Sequence, residues 1–147
     1  MHLTQFTDMG LRVLMYLTQH QRESLVTIAE LAEQFQLSHN HLIKVVNQLV
    51  KLGWVDATRG RNGGLRLGVP AARLRLGTMI RLLEDEEHLI DCDKAVCALD
   101  GSCRLQSVLA QGLEQFYQWL DQYTLADMVR DPTQAVLVQM HRRWVAG

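Results

Sequence analysis

Residues 27–53, TIAELAEQFQLSHNHLIKVVNQLVKLG, constrain this chain more than any other stretch. Thr27 followed three residues later by Glu30 predicts a capping box that opens a short helix, with Ile28, Leu31, Ala32 and Phe35 along one side. The link QLS leaves room only for a tight turn. Ser38 is then the predicted cap of a second helix whose buried stripe is Leu42, Val45, Val46, Leu49 and Leu52. Gly53 ends it. Two helices of about eight and about fourteen residues joined by so short a turn make a helix-turn-helix.

The period then changes. WVDAT and LRL are short strands bracketing RGRNGG, where Asn62-Gly63-Gly64 offers the positive φ a tight hairpin demands. This hairpin is a β-wing. Upstream, Phe6, Leu11, Leu14, Met15 and Leu17 give a helical face between Leu3 and Gln19, with Thr4 or Thr7 as its cap. Downstream, Pro70 closes the wing and LGTMIRLLEDEE (76–87) predicts a helix capped by Thr78. A loop without period follows. From Arg104 to Tyr123 a stripe of Leu105, Leu109, Leu113, Phe116, Leu120 and Tyr123 predicts a long helix, and Thr124 restarts another in YTLADMV. The last stretch reads equally as a short amphipathic helix or a frayed end.

The expected fold is mainly α, a winged helix-turn-helix with a two-stranded β-wing followed by a loop and a long dimerisation helix. The expected organisation is a DNA-binding domain over 1–75 and a linking helix with the cysteine loop over 76–103. The dimerisation helix and a following short helix occupy 104–130, and a tail 131–147. A chain of 147 residues with 48% apolar and 21% charged content suits one ordinary folded domain with an appendage. No window approaches eighteen uninterrupted apolar residues, so no membrane span is expected. The start, MHLTQFTDMG, lacks the basic and apolar regions of a secretory signal, which points to the cytoplasm.

The net charge of −1 hides an asymmetry. Residues 1–82 carry ten Lys/Arg and five Asp/Glu, a net of +5, and residues 83–147 carry five and eleven, a net of −6. A basic first half suits a polyanion. In a winged helix-turn-helix the start of the second helix reads base edges in the major groove. Those positions are Ser38, His39, Asn40, His41 and Lys44, with Asn47 and Lys51 further along. Asn pairs two-pronged with adenine, and Lys donates to guanine. Arg59, Arg61, Asn62 and Arg66 of the wing suit phosphates or a narrow minor groove. The plainer reading is a helical core with a polar face, or a winged helix used for protein contacts. His39 and His41, two residues apart, point in different directions on a helix and do not form a metal pair. The long helix, exposing Leu109, Leu113, Phe116 and Leu120, wants a partner, and its twin is the simplest one. A homodimer would present two recognition helices about 34 Å apart to a palindromic double-stranded operator. The alternative is that this helix packs back on its own chain.

All three cysteines fall in DCDKAVCALDGSCRL, at Cys92, Cys97 and Cys103. In a reducing compartment such a cluster reads as metal-binding or redox-active rather than as a disulfide framework. The C-x4-C-x5-C spacing lacks the C-x2-C pairs usual for zinc, and spread-out soft thiolates wrap an iron–sulfur cluster more easily than one ion. Zinc and redox-active or simply apolar thiols stay open on spacing alone.

Four stretches carry a family resemblance: FTDMGLRVLMYL, NHLIKVVNQLVKLGWVDATRGRNGGLRLG, CDKAVCALDGSCRL and LDQYTLADMV. Together, from Met1 to about Val129, they resemble the NsrR group of nitric-oxide-sensing repressors, relatives of the IscR iron–sulfur regulators. The winged-helix part is common to all these relatives; the cysteine loop followed by Arg-Leu, and YTLADMV, favour NsrR. An IscR-like loop would be richer in glycine, with a histidine where Gln106 stands. The resemblance implies that Asp8, from the partner subunit, completes the iron ligands with Cys92, Cys97 and Cys103. A hard carboxylate on a soft cluster would be its reactive corner. A three-thiolate-plus-oxygen set suits a 4Fe–4S cubane, with 2Fe–2S as the lesser possibility, and the resemblance implies nitric oxide as the signal that breaks the cluster and releases DNA. For Asp8 the plain alternative is a first-turn acid complementing the helix dipole; His88 is a rival fourth ligand.

The expected function is therefore a repressor, not an enzyme, with an IscR-like iron–sulfur or redox-sensing regulator as the alternative. An electron carrier is the rival from another class. It would leave the basic helix-turn-helix idle, and no second cluster motif, nucleotide-binding glycine pattern or acid–base constellation supports it. A zinc-stabilised structural module is the remaining rival.

Overall fold

The structure, a computed structural model, describes residues 2–19, 22–85, 88–92 and 97–147. Residues 86–87, the end of the expected 76–87 helix, and residues 93–96 of the cysteine segment lie outside them. The described chain runs α1 (Gln5–Leu17), α2 (Ile28–Phe35), α3 (His39–Lys51), β1 (Val55–Thr58) and β2 (Gly64–Leu67). A 3-10 turn (Ala71–Arg73) follows, then α4 (Leu76–Glu84), α5 (Arg104–Leu120), α6 (Leu125–Met128) and α7 (Thr133–Ala146). It is mainly helical with one two-stranded antiparallel sheet, the winged helix expected of the sequence.

Hydroxyl caps start the first three helices. Thr4 accepts from the Thr7 backbone N–H, Thr27 from Glu30 and Ser38 from His41. The capping box at Thr27 is only half formed. Glu30 does not reach back to Thr27 but turns into the core at 1% exposure. There it accepts from the Tyr16 hydroxyl at 2.5 Å and takes both arms of Arg22 at 2.7 and 2.6 Å. A nearby tyrosine and arginine outcompete a local backbone N–H, because a buried carboxylate needs charge-assisted partners. Its charge and hydrogen bond, after burial itself, push the Tyr16 phenol far above its usual range, so the hydroxyl stays a donor. The full capping box forms at Thr124 and Asp127, opening α6.

Leu42, Val45, Val46 and Leu49 of α3 interlock with Met9, Val13, Leu14 and Leu17 of α1 and with Leu31 of α2. Each fully buried leucine contributes about 1.5–3 kcal/mol. Gly53, at φ 75°, turns the chain from α3 into the wing. There Val55 pairs with Leu67 and Ala57 with Leu65, while Asp56 and Arg66 face each other outside at 3.6 Å. In the hairpin Gly60 at φ 109° and Gly64 at φ 157° take the positive φ values while Asn62 does not, and a Cβ on Gly63 would sit 2.2 Å from the Thr58 carbonyl oxygen. A bridge between Val26 and Leu65 seats the wing on the link before α2.

Three expectations about the C-terminal half need correction. Thr78 does not cap α4: Arg75 holds the cap position, and Asp121 at the end of α5 instead accepts from the Thr78 N–H at 2.7 Å and its hydroxyl at 3.1 Å. Gly77 permits this approach, since a Cβ there would lie 2.1 Å from the Tyr117 carbonyl oxygen. The helix expected to reach residue 87 ends at Glu84, with Asp85 left-handed at φ 51°. The stripe of α5 splits. Leu113 and Tyr117 are buried against Ile80 of α4, with Phe116 and Leu120 packed beside them, so this part folds back on its own chain. Leu105, Val108 and Trp119 of α5 and Leu82 of α4 are exposed apolar residues. The undecided tail is α7, docked through Leu137 and His141.

Candidate nucleic-acid interface and cysteine loop

The N-terminal turns of α3 carry two opposite faces. Leu42 and Val45 anchor it inward, which leaves Ser38, His39, Asn40, His41 and Lys44 exposed on the other side, with Asn47 and Lys51 continuing the surface. Arg59, Arg61 and Asn62 are exposed at the wing tip. Donors on a rigid helix start beside a cationic hairpin tip can read base edges and hold phosphates. Two contributors escaped the sequence reading. Gln5 and Phe6 of α1 line a shallow cleft with His41 and Lys44, so the start of α1 extends the same surface. Ile43 stands 37% exposed on α3, an apolar group of the kind that meets thymine methyls. The signal for Gln5 lies in tertiary packing of α1 on α3, which local sequence does not encode.

At the opposite end of α4, the thiol-bearing segment joins α4 to α5. Cys92 and Cys103 are half-buried and Cys97 is exposed. Turn hydrogen bonds from Asp100 N–H to the Cys97 carbonyl and from Ser102 N–H to the Leu99 carbonyl shape residues 97–102 just before α5. Cys103 occupies the cap position of that 17-residue helix, where open backbone N–H groups favour negative charge. Among the described residues no three His, Cys, Asp or Glu side chains lie together as a metal site. The donor set nevertheless suits an iron–sulfur group: three soft thiols on one connection, the last at a helix start.

Asp8 is not gathered with the cysteines of its own chain. It lies in the first turn of α1, about half exposed, and its carboxylate takes the Arg12 guanidinium one turn on at 2.9 and 3.0 Å. His88 is exposed and lines two clefts between α4 and α5, one with Glu84 and Leu89, the other with Asp85 and Glu114. The start of α1 and the end of α4 are tied directly, because the Thr4 N–H and hydroxyl both donate to Glu84, at 2.8 and 2.9 Å. The helix that carries Asp8 is thus fastened to the helix that leads into Cys92.

Comparison with known proteins gives a family match over residues 3–131, to the model named Rrf2 and described as an iron-dependent transcriptional regulator. Among solved structures, IscR of T. potens is 27% identical, with a TM-score of 0.68 over 92% of this chain and 90% of that one. The oxidized form of CymR from Staphylococcus aureus is 25% identical, with a TM-score of 0.68 over 88% and 97%. CymR, the global cysteine regulator of B. subtilis, shares the fold at 23% identity and a TM-score of 0.68, over 87% and 95%. No helix among the described residues is long and apolar enough to cross a membrane.

Proposed function

The chain belongs to the Rrf2 family of transcriptional regulators, and from that premise we propose a homodimeric repressor that senses nitric oxide through an iron–sulfur group. Members of this family are regulators rather than enzymes; they bind DNA and often act as dimers. In the proposed reading, Asn40, His41 and Lys44 meet base edges in the major groove, while Ser38 and His39 approach the adjacent backbone. Arg59, Arg61 and Asn62 hold phosphates or the minor groove beside them. Leu105, Val108 and Leu82, exposed in the single chain, supply the apolar surface for the twin.

Cys92, Cys97 and Cys103 would hold the group, with Asp8 of the partner subunit as the fourth ligand and the four-iron form favoured over the two-iron one. When bound, it supplies iron that reacts with nitric oxide. The chain's own part is mechanical. A held loop fixes the end of α4, Glu84 fixes Thr4, and α1 carries α3 with it through their shared core. Letting go of the loop loosens that chain of contacts and with it the spacing of the two α3 helices on the operator.

The observation that carries this reading is the confinement of every cysteine to the α4–α5 connection of a chain matched as an iron-dependent regulator. An IscR-like sensor of iron–sulfur supply or redox state is the second reading, favoured by the likeness to T. potens IscR. Operator affinity of the loaded, nitric-oxide-treated and metal-free protein, measured at one salt concentration, tests the first. Tight binding by the loaded form alone supports it; equal affinities in all three states remove the sensing claim, and a response to oxygen but not to nitric oxide favours the second.

A further inference from the structure

α7 does more than cap the core. Between it and the end of α1 lies a cleft of about 300 Å³, a volume at the lower end of small-molecule sites. Val138, Val145 and Ala146 of α7 form its apolar wall, and Gln19, His141 and Arg142 supply its polar groups. Arg22 also borders it, but its charge is already paired with Glu30 through both arms, and the Ser24 and Leu25 carbonyls take two further N–H groups. Arg142 differs. It is exposed and pairs with no acid among the described residues.

His141 sets the other half of the chemistry. A carbonyl oxygen only accepts, so the 2.9 Å contact to the Tyr16 carbonyl makes Nε2 the protonated nitrogen. Nδ1 then carries the lone pair of the neutral ring. Every fully buried side-chain nitrogen or oxygen among the described residues has a partner. Nδ1 is therefore not fully buried, and its ring lines the cleft. An unpaired cation, a ring-nitrogen acceptor and an aliphatic wall occur together.

We infer that this cleft binds a small monocarboxylate with a branched apolar body and a hydroxyl or similar donor. The carboxylate pairs with Arg142, the donor meets His141 Nδ1, and the alkyl group covers Val138, Val145 and Ala146. An inorganic anion satisfies only the arginine and leaves the aliphatic wall wet. Because His141 stacks on Tyr16, whose hydroxyl holds Glu30 of α2, an occupied cleft fastens α7 more firmly to the helix-turn-helix. The site is remote in sequence from the cysteines and independent of any iron they hold.

The test is a titration of the full chain with 2-hydroxyisovalerate, read by the His141 ring NMR signals and by the thermal midpoint. Isovaleramide and inorganic phosphate serve as comparison probes. The expected result is saturable movement of the His141 signals with a rise in midpoint, weakened about tenfold or more by Arg142→Gln and for both comparison probes. Arg142 is exposed, so that variant keeps the fold. The inference is overturned if the His141 signals stay unmoved up to about 20 mM probe. Equal binding by the Arg142→Gln variant, or phosphate binding as tightly as the hydroxy acid, overturns it as well. A Cys97→Ser chain is expected to bind the probe unchanged, which separates failure here from failure of the iron–sulfur reading.

Discussion

The imidazole of His141 lies against the ring of Tyr16, centroids 3.8 Å apart and planes 17° from parallel, while its Nε2–H donates to the Tyr16 carbonyl. One residue of α7 thereby holds both the side chain and the backbone of α1. Burial, the largest influence, depresses the His141 pKa below its ordinary 6.5. The unfolded chain then binds more protons than the folded one between the two values. The stabilising contribution is complete above pH 6.5 and drains away as pH falls through that window. Urea midpoints measured from pH 8 to 5 are expected to fall across it, and to fall less steeply in His141→Gln. His141→Ala leaves a cavity and a carbonyl without its donor, at a cost of about 2–3 kcal/mol.

On the DNA surface the two groups of residues are expected to fail differently. If Arg61 holds a phosphate as proposed, Arg61→Ala weakens binding alike for cognate and random DNA and lowers the salt slope by about one. If Asn40 reads a base as proposed, Asn40→Ala lowers cognate affinity by about 1–3 kcal/mol while random DNA binds as before. Binding isotherms on both DNAs at several salt concentrations distinguish them. Identical losses on both DNAs for Asn40→Ala would move that residue to the backbone set.

Asp8 has two candidate roles that separate cleanly. Its pair with Arg12 is exposed, and an i,i+4 pair of that kind is worth about 0.3–0.5 kcal/mol. Asp8→Ala is therefore expected to change the stability of metal-free protein by no more than that. As an iron ligand, the same substitution should markedly shorten the lifetime of the bound group, followed by its visible absorption. An unchanged lifetime leaves Asp8 with only its helix-dipole role.

Glu84 joins the two ends of the proposed relay, so Glu84→Ala should uncouple them. Iron content is expected to stay near that of the wild type. The difference in operator affinity between loaded and metal-free forms is expected to shrink by about tenfold. A full difference in this variant would show that the coupling takes another route.

What the sequence made legible were elements whose determinants are local. Thr27, Ser38 and Gly53 sit within a turn of the groups they cap, and the stripe from Leu42 to Leu49 states its own face. Misreadings came where a distant partner won. Asp121 arrives from 43 residues away to take Thr78, and Glu30 leaves its local cap for Tyr16 and Arg22. The periodicity of α5 showed an apolar face without saying what covers it; Ile80 covers Leu113 and Tyr117. For the candidate site, the cysteines and the polar face of α3 were readable because residue type and spacing carry them. The contribution of Gln5 and the Thr4–Glu84 tie exist only once α1 is packed.

Iron and acid-labile sulfide analysis of protein isolated without oxygen, run beside its Cys97→Ser variant, tests the cysteine loop most directly. The expected result is brown protein carrying iron and sulfide in equal amounts near the four-iron form, with both lost from the variant. Colourless, iron-free protein that still holds its operator tightly would contradict it.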